Sequence, residues 1–248
     1  MSEKKLKAVV LAAGKGTRMH SESCDLPKVM RRAMDRPLLG YVLSALDFIA
    51  PEDTVIVVGY KKEEVISAFG GYAFAEQKQQ LGTGHAVMAA FDTLGEFDGD
   101  VLVCCGDMPL LERSTYEALC AQHRKSGAAC TALSGYSNVD LPYGRILRDG
   151  SGKFLRVIED RDCTAEQKAI RELNSGVYVF DAPSLRRMLT LLGRDNAQGE
   201  YYLTDVPELM KVRNMAVDIC CRELDMQIIG VNTPEQLAEV EAVLQSRK

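Results

Sequence analysis

Short apolar runs alternate along this chain with longer amphipathic stretches, and this alternation predicts the secondary structure. Apolar runs of strand length lie at residues 6–13, 54–59, 101–105, 129–133, 154–158, 177–180 and 227–231. Apolar residues at helical spacing lie at 38–49, 62–69, 84–94, 114–125 and 184–192. Strands that alternate with helices form a mostly parallel sheet with helices on its faces. We therefore predict a Rossmann-like α/β fold with a mixed, mostly parallel sheet.

Residues 134–182 depart from this alternation. Short strand patterns are separated there by turns such as Tyr143-Gly144-Arg145, which predicts a small β-rich lobe beside the main sheet. Near the end of the chain, Thr233, Pro234 and Gln236 provide an N-cap, a proline at the first helical position and a capping-box glutamine. We expect one globular domain over residues 1–232 and a C-terminal packing helix over residues 233–248.

The composition excludes several classes of protein. A chain of 248 residues with 46% hydrophobic content can bury one sizeable core. Its apolar runs are shorter than the roughly 18 residues of a membrane-spanning helix, and its N-terminus lacks the apolar segment of a signal peptide. The net charge of −5 argues against a nucleic-acid-binding face. We expect a cytoplasmic protein that binds neither nucleic acid nor membrane.

The eight cysteines do not indicate metal or redox chemistry. They include two adjacent pairs, and none of them forms a CxxC spacing. Since cytosolic proteins keep their thiols reduced, we expect free and mostly buried cysteines.

The loop after the first predicted strand carries the strongest chemical signal. Gly14 and Gly16 allow backbone N–H groups to approach a phosphate closely. Five basic residues follow within eighteen positions of this acidic chain: Lys15, Arg18, Lys28, Arg31 and Arg32. The Walker pattern GxxxxGK[ST] is absent, and a dinucleotide-binding GxGxxG would need a third glycine in place of Met19. The loop therefore predicts an anionic small-molecule ligand.

A series of motifs resembles one enzyme family. The stretch LAAGKGTRM at 11–19, followed by LPKVM at 26–30, is similar to the signature of nucleoside-diphosphate-sugar pyrophosphorylases. Seven further motifs resemble the N-acetylglucosamine-1-phosphate uridylyltransferase half of the bacterial GlmU family. They are QLGTGHA at 80–86, GDMPL at 106–110, YGRI at 143–146, IE at 158–159, ELNSGVY at 172–178, NAQGEYYLTD at 196–205 and VN at 231–232.

The resemblance implies a nucleotide diphospho-sugar transferase fold with a nucleotide site that binds UTP. It assigns the phosphates and the uracil edge to a set of residues near the glycine loop: Leu11, Ala12, Ala13, Gly14, Gln77, Gly82 and Thr83. A glutamine amide can donate and accept, which matches the adjacent N–H and C=O of uracil. Taken alone, the segment from Gly82 to Gly84 favours a simple helix start over a uracil site, and the resemblance reverses this interpretation.

The resemblance also implies a magnesium ion and a sugar 1-phosphate. Asp107 and Asn232 are the implied Mg²⁺ ligands, a sparse set that suits an ion whose shell is completed by phosphate and water. A lone Asp after a strand is otherwise an ordinary turn former. The residues implied to bind the sugar phosphate are Gly144, Glu159, Asn174 and Thr204.

The implied reaction needs charge neutralisation rather than a base. A sugar phosphate oxygen is already anionic, so it can attack the α-phosphorus of UTP directly, with Arg18 and Lys28 as the catalytic cations. We assign no chemistry to His85. Two alternatives stay open: a pyrophosphorylase for another sugar, such as glucose 1-phosphate, and a weakly catalytic nucleotide-sugar binder that regulates a partner.

Three features depart from the family pattern. The loop at residues 20–25 is longer than usual, and Cys105 stands where tyrosine is usual. The chain also stops where the family's acetyltransferase domain, a left-handed β-helix, would begin. The family trimer forms through that domain, so the resemblance implies no oligomeric state.

Overall fold

The computed structural model describes residues 4–16, 26–136 and 141–247. Its strands are β1 Leu6–Leu11, β2 Arg32–Ala33, β3 Arg36–Pro37, β4 Thr54–Val58, β5 Ala73–Glu76, β6 Asp100–Cys105, β7 Cys130–Tyr136, β8 Arg145–Arg148, β9 Phe154–Ile158, β10 Glu172–Asp181 and β11 Val217–Arg222. Its helices are α1 Leu38–Ala45, α2 Lys62–Ala68, α3 Thr83–Leu94, α4 Arg113–Ser126, α5 Ala165–Lys168, α6 Ala182–Leu189, α7 Val206–Val212 and α8 Pro234–Ser246. Among the described residues, no helix is both long enough and apolar enough to cross a membrane.

Nine strands form one mixed sheet in the order β11-β7-β10-β6-β1-β4-β5, with the β8–β9 hairpin attached to β10. The pairs of β1 with β4 and β6, of β4 with β5, and of β7 with β11 are parallel. Strand β10 runs antiparallel to both β6 and β7. The predicted α/β fold is therefore confirmed, and most strands end at the same edge of the sheet.

Successive residues of the central strands are buried on opposite faces of the sheet. On β1, Val10 belongs to a core packed by α1 and α4, whereas Val9 belongs to a core packed by α3, α6 and α7. Strand β4 is buried along its whole length. Apolar residues on both faces explain why these strands are continuous hydrophobic runs in the sequence.

The predicted lobe at 134–182 is present but is not separate from the main sheet. The β8–β9 hairpin pairs with β10 through Leu173 and Arg145, and β10 continues into the main sheet between β6 and β7. The hairpin therefore has a fixed position relative to the parallel strands.

The prediction of a strand at 227–231 is wrong. Residues Asp225–Ile228 form a 3₁₀ turn, and no strand follows it in this described segment. Ile229 and Val231 are apolar because they pack against Val240 of α8. The predicted helix start is confirmed, since Thr233 and Gln236 form a capping box at the first turn of α8.

Candidate active site

Two adjoining cavities lie at the edge of the sheet where the parallel strands end, which is where open α/β sheets usually bind ligands. The glycine-loop cavity, of about 260 Å³, lies between Gly14, Gln77, Gly82 and Lys28. The lobe cavity, of about 290 Å³, lies between the main sheet and the β8–β9 hairpin. Four residues line both cavities: Leu11, Thr83, Cys105 and Asp107. The two cavities therefore meet at the end of β6.

Lys28, Asp107 and Asn232 form a polar cluster where the cavities meet. The ammonium group of Lys28 forms an ion pair with Asp107 and donates a hydrogen bond to Asn232 Oδ1 at 2.8 Å. The side chains of Lys28 and Asp107 are each 15% exposed, so the pair is partly shielded from solvent. A carboxylate oxygen and an amide oxygen thus share one cation, although 125 residues separate them in the chain.

Backbone contacts hold Asn232 in this cluster. The N–H of Val231 donates to the carbonyl of Asp107 at 2.9 Å, which ties the two loops together. The N–H groups of Asn232 and Thr233 donate to Gln236 Oε1 at 2.8 and 3.2 Å. The capping box of α8 therefore also fixes the backbone of Asn232.

The walls of the glycine-loop cavity are stabilised by contacts within the protein. The side-chain nitrogen of Gln77 donates to the carbonyl of Gly82 at 3.0 Å and lies 3.1 Å from His85 Nδ1. The hydroxyl of Thr83 accepts the N–H of Leu203 at 3.1 Å. Thr83 begins α3 without capping it, so its side chain joins two segments of the site. His85 therefore contacts the side chain of Gln77 in the wall of this cavity.

Of the four residues from Leu11, at the end of β1, to Gly14, three line the glycine-loop cavity. Leu11, Ala13 and Gly14 line it, whereas Ala12 is buried and does not. The N–H of Ala12 donates to the carbonyl of Val57 at 2.9 Å, so it extends the sheet. Arg18 and the loop at 20–25 lie outside the described residues.

The lobe cavity contains all four residues implied to bind a sugar phosphate: Gly144, Glu159, Asn174 and Thr204. The Thr204 hydroxyl donates to Glu159 Oε1 at 2.8 Å. Burial raises the pKa of Glu159, while the Thr204 hydrogen bond opposes this change and the nearby Asp205 adds to it. The N–H of Asn174 donates to the carbonyl of Gly144 at 2.8 Å, which joins β10 to the hairpin.

Sequence reasoning assigned no role to Tyr143 and Tyr178 of the lobe cavity, whereas it identified Cys105, which also lines this cavity, as a departure from the family pattern. The Tyr143 hydroxyl accepts the N–H of Gly230 at 2.7 Å, and burial raises the pKa of this residue to about 12. Burial likewise raises the pKa of the Cys105 thiol to about 12, so the thiol is neutral at pH 7. Tyr143 stands next to Gly144 in the YGRI motif, and that position could have identified it.

The thiols agree with the expectation of free cysteines. The seven cysteines in the described ranges are all free, and four of them are buried: Cys104, Cys120, Cys130 and Cys220. Within those ranges, no group of three or more His, Cys, Asp or Glu side chains is placed to hold a metal ion.

Comparisons with known proteins agree with the resemblance found in the motifs. A family model described as MobA-like NTP transferase domain matches residues 8–176. The "Bifunctional protein GlmU" of Pelotomaculum thermopropionicum is 43% identical over 243 residues, which are 98% of this chain and 52% of that protein. The protein of the same name from Heliobacterium modesticaldum is 44% identical over 97% of this chain and 52% of its own length. This chain therefore spans about half the length of these curated relatives.

The fold also matches a solved structure. UDP-glucose pyrophosphorylase in complex with UDP-glucose aligns with a TM-score of 0.76 and 16% identity, covering 98% of this chain and 100% of that one. At this identity the match shows the shared fold alone. Together with the relatives, it confirms the predicted resemblance in fold and sequence.

Proposed function

This chain belongs to the MobA-like NTP transferase family, and we propose that it transfers UMP from UTP to N-acetylglucosamine 1-phosphate. The products are UDP-N-acetylglucosamine, a precursor for cell-wall amino sugars, and pyrophosphate. The observation that carries the proposal is the Lys28, Asp107 and Asn232 cluster at the junction of two cavities. A reaction between two anionic substrates needs its positive charge at such a junction.

UTP occupies the glycine-loop cavity in this proposal. The backbone at Leu11, Ala13 and Gly14 faces the phosphates, and Ala12 supports this segment through the sheet. Gln77, Gly82 and Thr83 recognise the uracil. Since the Gln77 nitrogen already binds the Gly82 carbonyl, its oxygen is the atom that can accept the uracil N–H.

The sugar phosphate occupies the lobe cavity. Glu159 and Thr204 bind sugar hydroxyls. Gly144 lines the cavity next to them and packs closely on the hairpin, because a side chain there would begin 2.9 Å from Val157 Cγ1. Asn174 binds the acetamido group.

The chemistry is an exchange of one phosphoanhydride for another. The sugar phosphate oxygen forms a bond to the α-phosphorus of UTP, and the bond from that phosphorus to the bridging oxygen breaks. Pyrophosphate leaves with the electron pair. No proton has to be removed from the nucleophile, so the protein supplies placement and positive charge. Lys28 provides that charge, and Arg18 is the second candidate.

We also propose a magnesium ion held by Asp107 and Asn232. One oxygen of Asp107 and one of Asn232 already contact the same cation, the Lys28 ammonium. These two oxygens are therefore placed to bind a positive charge. One carboxylate and one amide oxygen suit Mg²⁺, which usually keeps several waters or phosphate oxygens. When bound, the ion would neutralise charge on the phosphates. Lys28 would add a second positive charge at the same junction.

The remaining assignments follow from the same proposal. We assign residues 1–232 to the nucleotidyltransferase domain and residues 233–248 to a C-terminal helical segment, in which Gln236 of α8 holds the backbone of Asn232. The protein acts in the cytoplasm on the two small-molecule substrates, without nucleic acid or membrane as a partner.

A pyrophosphate-release assay with a panel of nucleotides and sugar 1-phosphates tests this function. We expect UTP with N-acetylglucosamine 1-phosphate to exceed UTP with glucose 1-phosphate by at least about tenfold in kcat/KM. Chelation of magnesium by EDTA should abolish turnover, and added Mg²⁺ should restore it.

Each alternative gives a different result in the same assay. Equal kcat/KM for the two sugars would remove the assignment to N-acetylglucosamine but keep a uridylyltransferase. Binding of UTP without pyrophosphate release from any pair would support a regulatory binder instead. Full activity in EDTA would contradict the roles of Asp107 and Asn232 as metal ligands.

A further inference from the structure

Two buried oxygens in the lobe cavity lack hydrogen-bond partners. Asn174 and Tyr178 line this cavity and are only 6% and 1% exposed. Neither Asn174 Oδ1 nor the Tyr178 hydroxyl has a hydrogen-bond partner. Buried polar atoms are nearly always paired in native structures, so such an exception needs an explanation. A ligand in the cavity would provide one.

The shape of β10 brings these two side chains to the same cavity. Asn174 lies opposite Ser134 of β7, and Tyr178 lies opposite Ala132, so β10 contains two extra residues between these pairs. Gly176, within this irregular segment, has a φ of +77°, which strongly favours glycine. Bulges of this kind redirect side chains beside active sites. The Tyr178 ring is also fixed, because it stacks on Phe180 with centroids 5.3 Å apart.

The two unpaired groups have complementary chemistry. The Asn174 oxygen can only accept a hydrogen bond, whereas the Tyr178 hydroxyl can donate one. Burial and the nearby Glu159 carboxylate raise the pKa of Tyr178 well above its ordinary value, while the Asn174 side chain, which lies close to the hydroxyl but outside hydrogen-bond geometry, lowers it. The hydroxyl therefore keeps its proton at neutral pH. A ligand group that carries an N–H and a C=O on adjacent atoms would satisfy both oxygens.

We propose that Tyr178 is a specificity-determining residue that recognises the acetamido group of the sugar phosphate together with Asn174. The amide N–H donates to Asn174 Oδ1, and the amide carbonyl accepts from the Tyr178 hydroxyl. A 2-hydroxyl, as in glucose, presents its hydrogen and its oxygen at a single atom close to the ring, so it leaves the Tyr178 hydroxyl unpaired. This inference rests on the proposed function and adds the residue that selects the sugar.

The substitution Tyr178→Phe removes the hydroxyl and keeps the stacked ring. We expect kcat/KM for N-acetylglucosamine 1-phosphate to fall about tenfold, mostly through a higher KM, because one hydrogen bond to a buried group is lost. The value for glucose 1-phosphate should stay within about twofold. The melting temperature should not fall, since the lost hydroxyl had no partner in the protein.

Tyr116→Phe is the matched control. Tyr116 lies on α4, is fully buried and has a hydroxyl that lies close to the Cys104 thiol but outside hydrogen-bond geometry, and it lines neither cavity. Its substitution should leave the kinetics with both sugars unchanged. An unchanged kcat/KM for N-acetylglucosamine 1-phosphate in Tyr178→Phe, or an equal loss with both sugars, would overturn the inference. Failure of the proposed function would appear separately, as a wild-type enzyme without preference between the sugars.

Discussion

The two cavities of the site differ in how their polar groups are satisfied. In the glycine-loop cavity, Gln77 is hydrogen-bonded to Gly82 and His85, and Thr83 is bonded to Leu203. In the lobe cavity, Asn174 Oδ1 and the Tyr178 hydroxyl are buried without partners. The carboxyl of Glu159, on the same side, has a pKa raised by burial.

This difference predicts which substitutions should affect stability and which should affect ligand binding. A group that is hydrogen-bonded within the protein supports the fold, so its loss should lower both stability and ligand affinity. A buried group without a partner costs stability and gains its partner only when a ligand binds. Removal of the Tyr178 hydroxyl or the Asn174 side-chain oxygen should therefore weaken binding without lowering the melting temperature, which is the trade-off often found at active sites.

The junction shared by both cavities should give the largest effect on catalysis. We expect Lys28→Ala to lower kcat by about 10²-fold or more, because removal of one preorganised charge contact costs about 3 kcal/mol. The KM values for both substrates should change by no more than a few-fold. Steady-state kinetics with each substrate varied in turn measure both quantities.

Lys62→Ala is the control for the loss of a lysine from an ion pair. Lys62 pairs with Glu76 at 2.7 Å on the exposed surface, and such pairs contribute little. This variant should have wild-type kinetics. Activity of Lys28→Ala within a few-fold of wild type would remove Lys28 from the mechanism.

Substitutions in the wall of the glycine-loop cavity should lower the stability of the protein more than substitutions in the wall of the lobe cavity. Gly82 has a φ of +105°, and an added Cβ would lie 2.6 Å from the carbonyl oxygen of Tyr201. We expect Gly82→Ala to cost about 3 kcal/mol, through strain and overpacking, and to lower the melting temperature by roughly 6 to 12 °C. The KM for UTP should rise as well. Thermal denaturation and UTP titration test the two effects.

Gly127→Ala separates strain from crowding. Gly127 ends α4 with a φ of +62°, and no atom lies within 4 Å of an added Cβ. Gly127→Ala should lower the free energy of unfolding by only about 1 kcal/mol, from the left-handed conformation alone. If both alanine variants melted at the same temperature, close packing at Gly82 would not contribute to the stability of this side.

Much of the fold could be predicted because the central strands are buried on both faces and are read as apolar runs. The same signal failed at 227–231, where Ile229 and Val231 are covered by α8 rather than paired in a sheet. Strand β11 was missed because Asp218 interrupts its apolar pattern, and β5 because it has only four residues.

The candidate site was predictable in part. Asp107 could be placed at the sheet edge because it follows a buried strand, but its contact with Lys28 depends on tertiary structure. Tyr178 could not be identified, since an aromatic residue in a strand is typical of a core. The combination of an unpaired hydroxyl with a place in the wall of the lobe cavity distinguishes it, and the sequence alone contains neither observation.

Asp205, which follows Thr204 of the lobe cavity, gives the smallest predicted effect and tests whether a partly buried charge beside that cavity destabilises the protein. Burial is the main cause that raises its pKa from 3.8 to about 6, and the nearby Glu208 and Asp162 carboxylates add to this. A folded-state pKa above the unfolded value means that folding favours the protonated form. The resulting stabilisation is complete below about pH 4 and is lost as the pH rises through about 6.

We therefore expect Asp205→Asn to be more stable than wild type above about pH 7, by about 1 kcal/mol after solvent screening, or roughly 2 to 4 °C in melting temperature. The difference should shrink as the pH falls from 6 to about 4, because protonation then removes the same charge from the wild type.

Asp149→Asn should change the melting temperature in the opposite direction. Asp149 accepts hydrogen bonds from Ser151 and Lys153 in the β8–β9 turn, which lower its pKa, so its removal should destabilise the protein at neutral pH. Melting curves of the wild type, Asp205→Asn and Asp149→Asn between pH 4 and 8 measure both effects. A stability difference for Asp205→Asn that does not change with pH would show that its charge is not the cause.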